Sequence, residues 1–292
     1  MARLVTLVLA LALIAGAAPR GAQQDPAVAE LLRVANDFLN TYVRSASGAS
    51  LDERYTLTLV GGVSSRPLRI TSEIVFVNVN GRLYGFRDAA TIDGAKLRDP
   101  KVSRLIPLLA EPTQDKWTQA QRVAQDSYQY FQSELVVLLH DPMLALHFIQ
   151  PAQHATFTYR IDDTKKMNGV ETTALRFEEI RGELTTYVMG TRGNGWSSGR
   201  LWIDPATGAV HQTEYWLEST TEGVRVNITY KFDEKLKLWL PSKMGANYDM
   251  RPAPDNQINR GVGGYGARFT YQANADYSNP RYTLVDLMKM TR

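Results

Sequence analysis

The sequence predicts an α+β fold that is mostly β, an antiparallel sheet with one apolar face and helices to cover it. Three observations carry this expectation. Val224, Val226, Ile228, Tyr230 and Phe232 alternate with Arg225, Asn227, Thr229 and Lys231. That period of two gives a strand one dry face and one wet face. Turn chemistry, Asp204-Pro205 with Gly208 and then Thr220-Thr-Glu-Gly223, divides residues 199–232 into the strands of a meander. Finally, an amphipathic helix precedes the strands, and a helical insert at about residues 100–150 separates two sheet-forming halves.

Residues 1–22 read as an export signal. Arg3 supplies the positive end, Leu4 to Ile14 the apolar segment, and Ala15-Gly16-Ala17 a small-residue cleavage site, with Ala22 as a later alternative. The apolar segment is too short for a comfortable membrane span and no later stretch reaches that length, so the mature chain is expected to be soluble, in the periplasm or secreted. Without Arg3 and Arg20 the balance is 31 basic against 30 acidic residues, and there is no basic run, so a nucleic-acid partner is not expected. There is no cysteine, which excludes a lipid-modified N-terminal cysteine, disulfides and thiolate chemistry. The 44% hydrophobic content is enough for a core.

After the leader, Asp25-Pro26 is an N-cap followed by proline at the first helical position, and Val28, Leu31, Leu32, Ala35, Phe38, Leu39 and Tyr42 form one apolar stripe. Strands are expected at about 55–59, 68–79 and 82–86, with Asn80-Gly81 as a hairpin turn. Residues 102–109 read as a short helix. Thr113 caps a longer one over 113–131, 135–139 is an apolar run, and Asp141-Pro142 opens a helix to Phe148. The second half is read as strands at 156–161, 170–180, 183–189, 200–203, 210–218, 224–232, 240–248, 268–277 and 282–287. Polar residues 162–169 are expected as a turn and 251–266 as a loop. No repeat and no linker divides residues 23–292, which are expected to form one domain.

Several motifs fail on context. Gly195-Trp-Ser-Ser-Gly199 matches the serine-hydrolase elbow but enters a strand, and the only later histidine, His211, lies beyond a tight hairpin. Gly261-Val-Gly-Gly-Tyr-Gly266 precedes a strand rather than a helix, so it reads as a loop and no cofactor is expected. His140, His147 and His154 are spaced by seven but interrupted by Pro142 and Pro151, and no metal site is assigned to them. Glu178 and Glu179, adjacent on one strand, face opposite ways and cannot act as a close acid/base pair. No catalytic constellation emerges. Asn227-Ile-Thr229 is a glycosylation sequon inside a strand.

The order of elements, with Leu201-Trp-Ile-Asp-Pro-Ala-Thr-Gly208 and Tyr230-Lys-Phe-Asp233, resembles the outer-membrane lipoprotein carrier superfamily of LolA/LolB-like and RseB-like proteins. The chain is also similar to an exported bacterial family carrying Phe86-Arg-Asp88, Ile92-Asp-Gly94 and Tyr277-Ser-Asn279. The resemblance implies a strongly curved sheet, a half-open barrel, with the N-terminal helix and the helical insert covering its concave face. It further implies that this face binds a lipid, an acyl chain or a lipoprotein. Trp202, Trp216, Val226, Ile228 and Tyr230 are the candidates for the apolar wall, with helix 113–131 as plug or lid, although alternation sets Trp202 opposite Leu201 and Ile203. The alternative is an envelope interaction or sensor module with a filled core and no ligand, and a serine hydrolase comes third. No functional residue is inherited by motif, and oligomeric state is not read from the sequence.

Overall fold

The computed structural model describes residues 25–60, 66–110, 113–130, 140–180, 196–218, 222–250 and 269–283. The expectations for residues 1–22, 135–139, 183–189 and 251–266, and for the strand after Thr283, lie outside these residues.

β1 (Ala49–Val60), β2 (Leu68–Val79), β3 (Arg82–Ile92) and the two-residue β4 (Ala95–Lys96) form a first meander. β5 (Phe157–Met167), β6 (Val170–Glu179), β7 (Trp196–Ile203), β8 (Val210–Glu218), β9 (Glu222–Asp233) and β10 (Leu238–Met250) form a second. β11 (Phe269–Tyr282) lies between β10 and β1 and fuses the two into one 11-stranded sheet, β4-β3-β2-β1-β11-β10-β9-β8-β7-β6-β5. Among the described residues every pairing is antiparallel, and the sheet curves without closing, its edges at β4 and β5. It is a half-open barrel.

Three hairpins turn on consecutive residues of positive φ: Asn80-Gly81, Asp93-Gly94 and Asn168-Gly169. This is the backbone of the tightest two-residue turns, whose twist matches that of the flanking strands. The third corrects an expectation. Because two residues suffice to reverse the chain, β5 runs on through the polar residues 162–167 instead of ending at Ile161. Those residues are tolerated because β5 is an edge strand exposed along most of its length. β11 likewise continues through Pro280, where β1 is its partner and the pairing with β10 has ended at Asp276.

Helix α1 (Pro26–Ser45) starts as expected, Asp25 Oδ1 accepting from the Ala27 N–H at 2.9 Å with Pro26 in the first turn. Its stripe, including Leu31, Leu32, Ala35 and Leu39, is buried against the concave face. The turn between β7 and β8 buttresses it. Asp204 Oδ1 accepts from the Ala206 N–H and Oδ2 from Thr207 Oγ1, and Gly208 sits at φ +76. A Cβ on Gly208 would fall 2.3 Å from the Val34 carbonyl oxygen of α1. The Asp-Pro-Ala-Thr-Gly turn thus seats the helix.

The helical insert divides between the two faces. α2 (Leu105–Ala110) and α3 (Gln114–Tyr128, capped by Thr113 Oγ1 on the Lys116 N–H) cover the outer face of β2 and β3. There Leu105, Leu109, Ala120 and Ala124 pack on Val75, Val77 and Phe86, and Trp117 meets Phe86 at 5.1 Å between ring centroids. Residues 140–149, including α4 (Leu144–His147), lie instead on the inner face with α1. The expected coverage of the concave face therefore holds for α1 and the end of the insert, while α3, the expected plug, sits on the opposite side of the sheet. The physical reason is the run Ile74-Val-Phe-Val77, apolar on both faces, which calls for cover on each.

Candidate functional site

The inner face is a continuous apolar wall. Tyr215, Val226, Ile228, Tyr230, Met244 and Tyr248 are buried on β8, β9 and β10, and the wall extends through Ala275 of β11 to Leu51 of β1. Alternation produces it. Along β9 the residues between the buried ones, Arg225 and Asn227, are exposed on the outer face.

Two separate pieces cover the wall, α1 and residues 140–149. Phe148 of the second piece is fully buried in an aromatic cluster, stacked on Tyr215 at 5.4 Å and tilted against Phe157 and Phe177 at 5.2 and 5.3 Å. Buried polar groups pin the same segment. The Tyr230 hydroxyl donates to the Pro142 carbonyl at 2.5 Å, Tyr159 to the Phe148 carbonyl at 2.7 Å, and Asn36 Nδ2 of α1 to the Ile149 carbonyl at 3.1 Å. Burial pushes the Tyr230 and Tyr159 phenols well above their usual range, so both remain donors.

At the β1–β3 end, a charged hub lies inside this apolar interior. Glu53 of β1 takes a two-point ion pair from Arg87 of β3, Nε to Oε2 at 2.6 Å and Nη2 to Oε1 at 2.9 Å. The Ser72 hydroxyl donates to the same carboxylate at 2.5 Å and His140 Nε2 at 2.9 Å, and Tyr277 of β11 lies beside it, its hydroxyl donating to Met244 Sδ at 3.9 Å. Arg87 Nη2 also donates to the His140 carbonyl at 3.2 Å, and the His140 ring lies 4.2 Å from that of Tyr55. Burial alone would raise the Glu53 carboxyl, but Arg87 and His140 outweigh it and hold the group ionised, well below the usual carboxylate range. Burial and the Arg87 charge push His140 down to about 4, so the imidazole is neutral at neutral pH and donates from Nε2. An ion pair removed from water costs several kcal/mol per charge, and only a full set of partners offsets this. Here the set includes a residue of the cover, which ties the cover to the sheet.

Phe86-Arg87-Asp88 gains its meaning from this alternation. Arg87 points inward to the hub. Phe86 and Asp88 point outward, Phe86 to Trp117, and the buried Asp88 to Arg98 Nε at 2.7 Å and Arg104 Nη2 at 2.5 Å. Tyr277 reaches the same hub from β11, and Asn279 Nδ2 donates to Asp52 Oδ2 at 2.7 Å. Of these motifs, Arg87 and Tyr277 thus reach the hub, while Asp93-Gly94 forms the turn between β3 and β4. Ser72 carries no sequence signal of its own, whereas Glu53 is marked as a glutamate on the dry face of a strand, aligned with Tyr55 and Leu57.

The structure divides the five predicted wall residues. Val226, Ile228 and Tyr230 lie together in the inner cluster. Trp202 and Trp216 alternate with inner residues and lie on the outer face, Trp202 under Lys165 and Trp216 with the guanidiniums of Arg176 and Arg200 at 5.3 and 5.1 Å from its ring. Ser197 lies within β7, fully buried, its hydroxyl 2.8 Å from Tyr215 Oη and its N–H donating to Glu179. His211 contacts Asn168 and Trp239, not Ser197. The three spaced histidines part company: His140 joins the hub, His147 bonds Gln150 and Gln153, and His154 meets the Ile149 carbonyl. Among the described residues no group of three or more His, Asp or Glu side chains is placed to hold a metal ion, and no helix is long and apolar enough to cross a membrane.

No protein-family model and no curated protein matches the chain. The resemblance read from the sequence is met again among solved structures. A domain of the outer membrane lipoprotein-sorting type from Vibrio parahaemolyticus shares 11% identity at a TM-score of 0.39, the match covering 88% of this chain and 93% of that one. A DUF1329 family protein from Desulfovibrio piger shares 10% at 0.37, over 88% and 92%. A LolA superfamily protein from Nitrosomonas europaea shares 11% at 0.33, over 91% and 97%. These likenesses concern overall architecture alone.

Proposed function

We propose that this is an exported, non-catalytic binding protein whose concave face takes an acyl chain or the lipid moiety of a lipoprotein by exchange with residues 140–149. One observation carries the reading: the wall is apolar from β1 across to β6, yet half of its cover is a short segment held by side-chain contacts rather than by strand pairing. An entering chain would replace Phe148, Leu144 and Leu146 on Val226, Ile228 and Tyr230. A chain of sixteen carbons gains roughly 12 kcal/mol on burial, at about 0.8 kcal/mol per methylene, against the loss of the contacts it displaces. The Tyr248 hydroxyl, fully buried on the wall without a hydrogen-bond partner among the described residues, offers a guest's polar end one donor. Periplasmic or secreted placement follows from the expected leader.

A second reading rests on the opposite feature of the same site. The inner face is filled by its own side chains, as a partner-binding or sensor module with no ligand requires. Lipid extraction and mass spectrometry of the protein purified from its native envelope, with titration of a fluorescent fatty acid into the delipidated protein, separates the two. A co-purified acyl lipid and saturable uptake are expected. Neither lipid nor uptake leaves the filled-core module as the function.

A further inference from the structure

The geometry points to a second binding site, for an oligosaccharide, in a notch on the outer face of β8–β11 centred on Gly245. It is independent of the inner face. A cleft of about 280 Å³ opens there, close to the ~300 Å³ at which small-molecule sites begin. Strand register assembles it. On one rung Gly245 stands directly opposite Asn227 on one side and Asn274 on the other, and two residues along Asn247 stands between Arg225 and Gln272. Trp216 closes the β8 end, its ring fixed by Arg176 and Arg200.

A polar outer face is ordinary for a sheet buried on one side, so the glycine is the informative residue. A glycine inside a strand weakens it and marks positive φ, a bulge, a tight bend of the sheet, close packing or the near approach of a ligand. Gly245 does not have positive φ. The register slip in β10 falls between Pro241 and Lys243, not here. Nor is the position crowded. A Cβ at Gly199 would lie 2.1 Å from the Glu214 carbonyl oxygen, but one at Gly245 meets only Asn274 Oδ1, at 4.0 Å. A bend of the curved sheet and the near approach of a ligand remain, and the cleft that opens over Gly245 favours the second.

The chemistry of the notch selects the occupant. Asn227, Asn247, Gln272 and Asn274 are exposed, and none of these amides is hydrogen-bonded within the described residues. An amide presents a donor and an acceptor in one plane, which suits neighbouring hydroxyls of a sugar. Charge is sparse. Glu214 is paired with Arg200 at 3.1 Å, leaving Arg225 at the rim without an ion pair among the described residues. One cation suits a neutral or singly acidic saccharide, whereas a polyanion such as a nucleic acid needs several.

The test is a glycan array probed with the wild-type full chain, followed by calorimetric titration of the best binder into wild type, Gly245→Val and Asn274→Ala. Gly245→Val fills the notch with a residue that suits a strand. Expected are at least tenfold weaker binding by both variants, an unchanged circular dichroism spectrum, and wild-type uptake of a fluorescent fatty acid. No array binding by wild type, or wild-type affinity in Gly245→Val, overturns the proposal. If Gly245→Val does not fold, Asn274→Ala with Asn227→Ala decides on the same criterion.

Discussion

The inner face at β1–β3 and the outer face at β5–β7 do opposite things with charge. On the inner face Glu53 and Arg87 are enclosed, and every partner counts because burial keeps bulk water away from both groups. On the outer face Arg160, Glu178, Arg176, Arg200 and Asp162 form a half-exposed network with distances from 2.6 to 3.8 Å. Water there is an adequate substitute for any lost partner. The difference teaches that an ion pair's consequence follows from its solvent and not from its length: Arg176 to Glu178 and Arg87 to Glu53 are both 2.6 Å.

The strongest way to break the comparison is Arg87→Ala, which leaves Glu53 charged, buried and short of its main partner. A loss of about 3–5 kcal/mol is expected in urea unfolding. A loss under 1 kcal/mol would mean that the hub is hydrated and that the faces do not differ.

Acid is the next largest probe. The unfolded His140 takes a proton near pH 6.5, while the folded group resists to about 4. Its contribution is therefore present above 6.5 and falls as pH drops toward 4, by roughly 3 kcal/mol in all. Glu53, also depressed in the folded state, adds to the loss once pH passes below its unfolded value near 4.5. Urea midpoints between pH 7.5 and 4 should fall steeply for wild type and less for His140→Gln.

Gly208→Ala sets a methyl group against the Val34 carbonyl at a positive φ, and should cost about 1–3 kcal/mol and loosen α1, read as faster hydrogen exchange in that helix. Tyr230→Phe removes one tether of the cover. It should cost about 1 kcal/mol and, on the exchange reading, tighten fatty-acid binding, because the cover is easier to displace. Arg160→Ala, on the outer face, should shift stability by less than about 0.5 kcal/mol.

Much of this was legible locally. Alternation in β9 names its inner and outer residues, and Asp25-Pro26 and Thr113 mark the starts of α1 and α3. Tryptophan content misled the choice of wall residues, because Trp202 and Trp216 are large and aromatic yet stand out of phase with the buried positions. The alternation that excludes them was on view in Leu201, Ile203 and Tyr215. The doubly covered stretch at 74–77 was equally visible as an unbroken apolar run, but a run says only that both faces are dry and not which segment dries them.

By itself the sequence determined periods, caps and turns, since these depend on residues within a few positions of one another. Tertiary structure alone decided that β11 would join the two meanders, that the insert would part around β2 and β3, and that Glu53, Ser72, Arg87, His140 and Tyr277 would meet. Those residues are scattered over more than two hundred positions, and no local preference encodes their proximity. What brings them together is the burial of the wall they share, and once buried their charges have only one another.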